Sequence, residues 1–166
     1  MLFGLNSTFS VATERTVWSL PEIAIGGMPD VGVIFHMNKL GDNLGTMLAL
    51  TGQRLKGTDV FHSGISTHFC KSERLDELKR EIAILGEQDL GSQDLARLLD
   101  KFHEDSTNKT METEKAEKLA ILRGVTSQVY DSESILDILG KLRSMEDDWS
   151  RKQLNLISKA CPLSLR

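Results

Sequence analysis

Thr16-Val17-Trp18-Ser19-Leu20-Pro21-Glu22-Ile23-Ala24-Ile25-Gly26-Gly27-Met28-Pro29-Asp30-Val31-Gly32 is the stretch whose reading decides the fold. It sets two carboxylates, Glu22 and Asp30, into an otherwise apolar segment broken by glycine and proline. Each acid directly follows a proline. Because proline fixes φ and offers no N–H, neither acid fits the interior of a regular helix or a central strand. Both are expected on turns. A carboxylate held on a turn among Trp18, Ile23, Ile25, Met28 and Val31 is expected to lose water on folding, which suits it to proton transfer. The competing reading has Glu22 and Asp30 merely capping surface turns, since acids in apolar settings mark sites only statistically.

Outward from this stretch, short extended runs alternate with helices. Phe9, Val11, Val17 and Trp18 flank the polar turn Thr13-Glu14-Arg15 and predict two short strands. Asp42-Asn43 is placed to cap a helix carrying Leu44, Met47 and Leu48 on one face, and Gly52 stands where a left-handed C-terminal cap is wanted. Gly57-Thr58 starts another short helix ended by Gly64, after which Ile65, Thr67 and Phe69 alternate as a strand. From Ser72 onward the pattern is helical. Leu75, Leu78, Ile82 and Leu85 recur at three- and four-residue steps, as do Leu95, Leu98, Leu99 and Phe102, and Ile135, Ile138, Leu139 and Leu142. Each stripe reads as core-facing. Gly86, Gly91 and the polar run Glu104 to Lys109 mark linkers, with Ser72, Ser92 and Ser132 as N-caps. Glu112 to Lys118 reads as a solvated helix face, with Glu114 and Lys118 at the favourable four-residue spacing. The change of character divides one domain into a mixed part, 1–71, and a helical part, 72–166.

A chain of 166 residues, 40% apolar and 27% charged, is long enough to bury one core. A net charge of -4 and a pI near 5.6, with no basic stripe, argue against nucleic-acid or anionic-membrane partners. No apolar run reaches the roughly 18 residues that would suggest a membrane span. Cys70 and Cys161 have neither CxxC spacing nor a nearby His pair, so a reducing compartment is the default and a zinc site is not expected. Asn6-Ser7-Thr8 and Asn108-Lys109-Thr110 fit the glycosylation pattern but follow no secretory signal. His36, His62, His68 and His103 are scattered, and neither Gly-x-Ser-x-Gly nor His-Glu-x-x-His occurs. Gly41-Asp42-Asn43-Leu44-Gly45 is too short for a P-loop and lacks its lysine, and Gly26-Gly27 is no dinucleotide fingerprint. Serine-dependent, metal and nucleotide chemistries are therefore disfavoured.

Leu20-Pro21-Glu22, Ile25-Gly26 and Pro29-Asp30-Val31-Gly32 resemble the acidic segment of the 3-hydroxyisobutyryl-CoA hydrolases, a branch of the crotonase (enoyl-CoA hydratase/isomerase) superfamily. Val11-Ala12-Thr13-Glu14 before it is similar to the same family. So are Asn43-Leu44-Gly45, Leu48-Ala49-Leu50-Thr51-Gly52, Arg54-Leu55-Lys56-Gly57 and Thr67-His68-Phe69 after it, in the same order. Lys152-Gln153-Leu154 and Pro162-Leu163-Ser164-Leu165 carry the likeness to the tail. The resemblance implies an α/β fold, part of a crotonase-like spiral of ββα units followed by a helical C-terminal region. Two departures accompany it. Val33 stands where the family has a second glycine, and Met1-Leu2-Phe3-Gly4-Leu5 does not match the family's upstream glycine loops. The expectation is a C-terminal portion that also ends before the family's usual final helix.

The activity implied by the resemblance is hydrolysis of the 3-hydroxyisobutyryl-CoA thioester, a mitochondrial step of valine breakdown. Glu22 would be nucleophile or base, Asp30 would hold the substrate's hydroxyl or assist proton transfer, and Gly32 would line the substrate site. No metal or redox cofactor is implied, because coenzyme A arrives with the acyl-CoA substrate; no oligomeric state is implied either. In the family two upstream N–H groups hold the thioester oxygen, so the chain alone is expected to be inactive. Two alternatives stand beside this reading. One is a hydratase or isomerase of the same superfamily, disfavoured because hydratases carry Pro-Gly in place of Pro29-Asp30. The other is a non-catalytic product acting only by association.

Overall fold

The computed structural model describes residues 6–88, 91–107 and 109–165. Met1-Leu2-Phe3-Gly4-Leu5 and the acceptor Asn108 lie outside the described residues, as does the side chain of Glu112. In chain order the elements are β1 (Val11–Ala12), β2 (Val17–Trp18), α1 (Val33–Asn38), α2 (Leu44–Thr51), β3 (Leu55–Lys56), α3 (Thr58–His62), β4 (His68–Phe69), α4 (Leu75–Glu87), α5 (Ser92–Ser106), α6 (Lys109–Tyr130), α7 (Ile135–Met145) and α8 (Asp148–Ser158). Short 3-10 turns lie at Glu22–Ile25, Ser72–Arg74 and Pro162–Leu165. Contacts divide the chain into two compact units, Met1–Val17 with Lys56–Leu119, and Trp18–Leu55 with Ala120–Arg166. Residues 71 and 72, where the character of the sequence changes, fall inside the first unit.

In the first unit β1 pairs in parallel with β4, Val11 opposite His68 and Ala12 opposite Phe69. The strands flanking Thr13-Glu14-Arg15 do not pair with each other, since β2 pairs with β3. The reason is local. Thr16 N–H bonds the Thr13 carbonyl at 3.0 Å and Thr13 N–H bonds Thr16 Oγ1 at 2.8 Å, so a self-contained turn redirects the chain instead of folding it back. The strand expected from Ile65 to Phe69 shrinks to His68–Phe69 because the N–H groups of Ile65 and Ser66 both return to the Val60 carbonyl, each at 3.2 Å. Behind β4, Leu99 and Phe102 of α5 and Leu78 of α4 bury themselves with Cys70, and Val11, Leu75, Leu95 and Leu98 pack against them. Burial of side chains this size contributes about 1.5–3 kcal/mol each.

The α5 stripe is core-facing as its spacing predicts, but the α4 stripe is buried only at Leu78, and Ile82 is exposed. Gly86 lies inside α4 and is no linker. The expected linker from Glu104 is also helical as far as Ser106, where Thr107 closes α5 by directing its N–H (3.1 Å) and hydroxyl (3.0 Å) to the His103 carbonyl. The N-caps shift too. Ser72 is already inside its 3-10 turn, and Gly91 caps α5 with its N–H bonded to the Asp94 carboxylate at 3.2 Å. Ser134, not Ser132, caps α7, accepting the Asp137 N–H at 3.2 Å, because the Ser132 hydroxyl is engaged by the Val129 carbonyl at 3.0 Å.

In the second unit α1 packs on α2, α2 on α8, and α7 on α8. Leu20, Leu44, Met47, Leu48 and Leu142 are fully buried there. Gly52 closes α2 in the left-handed region at φ 61°, as expected of that glycine, with its N–H on the Leu48 carbonyl at 3.0 Å. Asn43 takes the N-cap position without a side-chain cap, and Asp42 turns instead to Arg123 at 3.2 Å. The same guanidinium donates to the Leu40 carbonyl at 2.7 Å, which fixes the loop entering α2. Lys141 draws the end of α6 to α7 by donating to the Gln128 and Asp131 carbonyls at 3.0 and 2.8 Å.

The α1–α2 contact is possible only at a residue without a side chain. A Cβ at Gly45 would stand 2.2 Å from the Met37 carbonyl oxygen, whereas a Cβ at Gly124, inside α6, would meet nothing within 4 Å. Gly45→Ala is therefore expected to destabilise the protein by about 1–3 kcal/mol or more, and Gly124→Ala to stabilise it by about 0.5–1 kcal/mol. Urea melts of the two variants check both signs.

Candidate active site

Pro21 stands at the N-cap of the 3-10 turn Glu22–Ile25, and Gly26, left-handed at φ 84°, ends it. The N–H groups of Gly26 and Gly27 both bond the Glu22 carbonyl, the second at 3.0 Å. Cys161 N–H bonds the next carbonyl, that of Ile23, at 2.9 Å, and the Ile23 side chain is buried. The main chain of Glu22 is thus fixed by its neighbours on one side and by the C-terminal segment on the other. Its side chain is half-buried, and Oε2 is fully buried with no hydrogen-bond partner. Buried polar atoms are nearly always paired, so an unpaired carboxylate oxygen calls for an explanation. Trp18 Nε1, Tyr130 Oη, Gln153 Oε1 and Ser164 Oγ, in the same unit, are buried without partners as well. Burial pushes the Tyr130 phenol well above its usual range.

Asp30 sits differently. Its carbonyl accepts the Val33 N–H at 3.0 Å, and its side chain is exposed. Val31 at φ 52° and Gly32 at φ 82° then turn the chain into α1, with Gly32 at the N-cap. A β-branched residue in the left-handed region is a true outlier, the kind of strain that collects at functional segments and costs about 1–3 kcal/mol. Ile25, Met28, Val31 and Phe35 are 84%, 65%, 67% and 62% exposed. The expected desolvation by flanking apolar side chains is therefore corrected at Asp30: of that set only Trp18 and Ile23 are buried, and both lie beside Glu22 in the sequence. The Gly- and Pro-rich link between the acids follows its own turns and, past the buried Ile23, leaves Ile25 and Met28 outside the core. Val33, in place of the family's second glycine, is a buried residue of α1.

The first unit holds a feature that the sequence did not announce. A cavity of about 590 Å³ is lined by Glu14, Lys56, Lys71, Ser72, Lys115 and their neighbours. The Glu14 carboxylate accepts the Ser72 N–H at 2.9 Å and the Ser72 hydroxyl, bonds that hold its carboxyl below the usual range. Lys115 pairs with Asp59 at 2.8 Å. The only hint in sequence is that Glu14 and Lys56 fall within the motifs Val11-Ala12-Thr13-Glu14 and Arg54-Leu55-Lys56-Gly57. Nearby histidines join the structure: His68 bonds Thr67 Oγ1 at 2.8 Å and Asp100 at 3.2 Å, and His103 Nδ1 accepts the Phe69 N–H at 3.1 Å. Among the described residues no group of three or more His, Cys, Asp or Glu is placed to hold a metal ion, and no helix is long and apolar enough to cross a membrane.

The chain is 37% identical over 163 residues to the 3-hydroxyisobutyryl-CoA hydrolase, mitochondrial, of Gallus gallus, and 33% identical to that of Homo sapiens; each alignment covers 98% of this chain and 41% of the relative. The chain thus spans about two fifths of the length of these relatives. Its fold matches the crystal structure of a carnitinyl-CoA dehydratase from Mycobacterium thermoresistibile with a TM-score of 0.80 at 24% identity, over 98% of this chain and 43% of that one. The α/β crotonase-type fold that the resemblance implies is therefore present. The family model for enoyl-CoA hydratase/isomerase matches residues 3–166, nearly end to end, and the chain belongs to that family.

Proposed function

We propose that the protein carrying this chain hydrolyses an acyl-CoA thioester, 3-hydroxyisobutyryl-CoA by likeness to its relatives, with Glu22 as the acting carboxylate. The observation that supports this is the buried, unpaired Oε2 of Glu22 on a turn fixed from both sides. A carboxylate with an oxygen that no protein donor satisfies keeps its capacity to take up a proton. Glu22 attacks the thioester carbonyl, or removes a proton from the water that does. The carbon–sulfur bond then breaks as a carbon–oxygen bond forms, and the coenzyme A thiolate takes up a proton; where Glu22 itself attacked, a water molecule next cleaves the glutamyl anhydride and restores the carboxylate, so that either route ends in 3-hydroxyisobutyrate and free coenzyme A. Asp30, exposed on its own turn, is suited to meeting a polar group of the substrate such as the 3-hydroxyl, and Gly32 leaves the backbone beside it uncovered. The chemistry requires no metal or redox cofactor. The naming of the relatives as mitochondrial supports a place in that compartment and in valine breakdown.

In the protein as its source expresses it, Glu22→Gln is expected to lower kcat for 3-hydroxyisobutyryl-CoA by about 10²–10⁴, read as free thiol released; turnover near the wild-type rate would remove Glu22 from the chemistry. Asp30→Asn is expected to penalise the hydroxyacyl thioester more than isobutyryl-CoA, because a site that bonds a hydroxyl discriminates through it. Equal losses on the two substrates would place Asp30 in the hydrolytic step itself. Glu22→Met, which removes a buried oxygen that lacks a donor, is expected to stabilise the fold by about 1–3 kcal/mol in urea melts while abolishing turnover.

A further inference from the structure

We propose that Val31 determines which acyl group the site accepts, by receiving a methyl branch on the carbon next to the thioester carbonyl. The inference rests on the reading above, in which Asp30 meets the 3-hydroxyl of that group. Its starting point is a conformation that the side chain opposes. Val31 lies at φ 52°, where a β-branched residue is strained and glycine is not. Strain of this kind persists only where the surroundings impose it. Pro29 restricts the chain before Asp30. After it, the Asp30 carbonyl accepts the Val33 N–H at 3.0 Å, and Val33 and Met37 bury themselves to anchor α1. Core packing offers no compensation, because Val31 is 67% exposed. The isopropyl group is thus held out of the core, next to Asp30, in a conformation that Gly32 adopts freely at φ 82°.

What the isopropyl group can meet follows from its neighbours. Asp30, just before it, has an exposed side chain, and a Cβ at Gly32, just after it, would find nothing within 4 Å. The chain is therefore open to a ligand on both sides of Val31. A carboxylate beside an exposed branched hydrocarbon suits an acyl group that carries a hydroxyl on one carbon and a methyl on the next. The 3-hydroxyisobutyryl group has that methyl, and the 3-hydroxypropionyl group lacks it. A β-branched side chain is stiff at χ1, which gives the contact a fixed shape. One methyl separates two substrates by about 10–200-fold in a closed pocket, and a contact left partly in water separates them by less.

The test compares kcat/KM for 3-hydroxyisobutyryl-CoA and 3-hydroxypropionyl-CoA, measured on the protein purified from its source and on Val31 variants of it. The wild type should favour the branched thioester by roughly three- to tenfold. Val31→Gly, which suits the backbone and removes the branch, should abolish that preference. Val31→Ile should keep it. Val31→Asn, a residue that tolerates the left-handed region, should lose the preference while raising the urea midpoint through relief of strain. With both thioesters still hydrolysed, a wild type that shows no preference, or an unchanged preference in Val31→Gly, overturns the inference and leaves the hydrolase reading standing. A lowered urea midpoint in Val31→Asn also overturns it, because Val31 would then be packed against another part of the protein. Failure of the wild type to release thiol from either thioester overturns the hydrolase reading itself, and this inference with it.

Discussion

Holding one oxygen of Glu22 away from water without giving it a donor opposes folding by about 1–3 kcal/mol, and the surrounding structure has to impose that arrangement. Main-chain bonds do much of this. The Glu22 carbonyl is claimed by Gly26 and Gly27, the Ile23 carbonyl by Cys161, and Ile23 itself is sunk into the core. Gly52 also contributes, since a Cβ there would come within 3.1 Å of the Leu20 carbonyl, just before the turn. The carboxylate is therefore carried by a packed turn and held in place from residues more than a hundred positions apart in the chain.

The same turn explains what the sequence made legible. Pro21 before Glu22 excluded a regular helix or central strand, and the residues do form a 3-10 turn. Gly52 and Gly64 marked helix ends because both occupy the left-handed region, where glycine is favoured. The periodicities of α5 and α7 located buried faces at Leu99, Phe102, Ile138 and Leu142. What escaped was decided by tertiary contact or by local bonds that no pattern encodes. The helix α1 carries no start signal in the sequence, because it begins straight after a left-handed pair, Val31-Gly32, with glycine and no side-chain cap at its N-cap. The exposure of Ile25 and Met28, against the burial of Ile23 a few residues away, depends on which side of the turn faces the core. Composition cannot express that difference.

Two acids that look equivalent in sequence are thus separated by their surroundings. Glu22 has a buried oxygen and a fixed backbone, whereas Asp30 is exposed after a proline and before a strained valine. Different surroundings for paired acids are how one site obtains two chemical roles from one functional group. Membership in the enoyl-CoA hydratase/isomerase family supplies the fold, and the mechanism we propose rests on the contrast between the two side chains.

The central claim is that the position of the Glu22 oxygen, and not only its charge, makes the site reactive. The most direct measurement is kcat for 3-hydroxyisobutyryl-CoA in Glu22→Asp, which keeps the carboxylate but withdraws it by one methylene from its buried position. A misplacement of that size is expected to lower kcat by about 10² or more. Turnover within about tenfold of the wild type would contradict the account, because charge alone would then suffice.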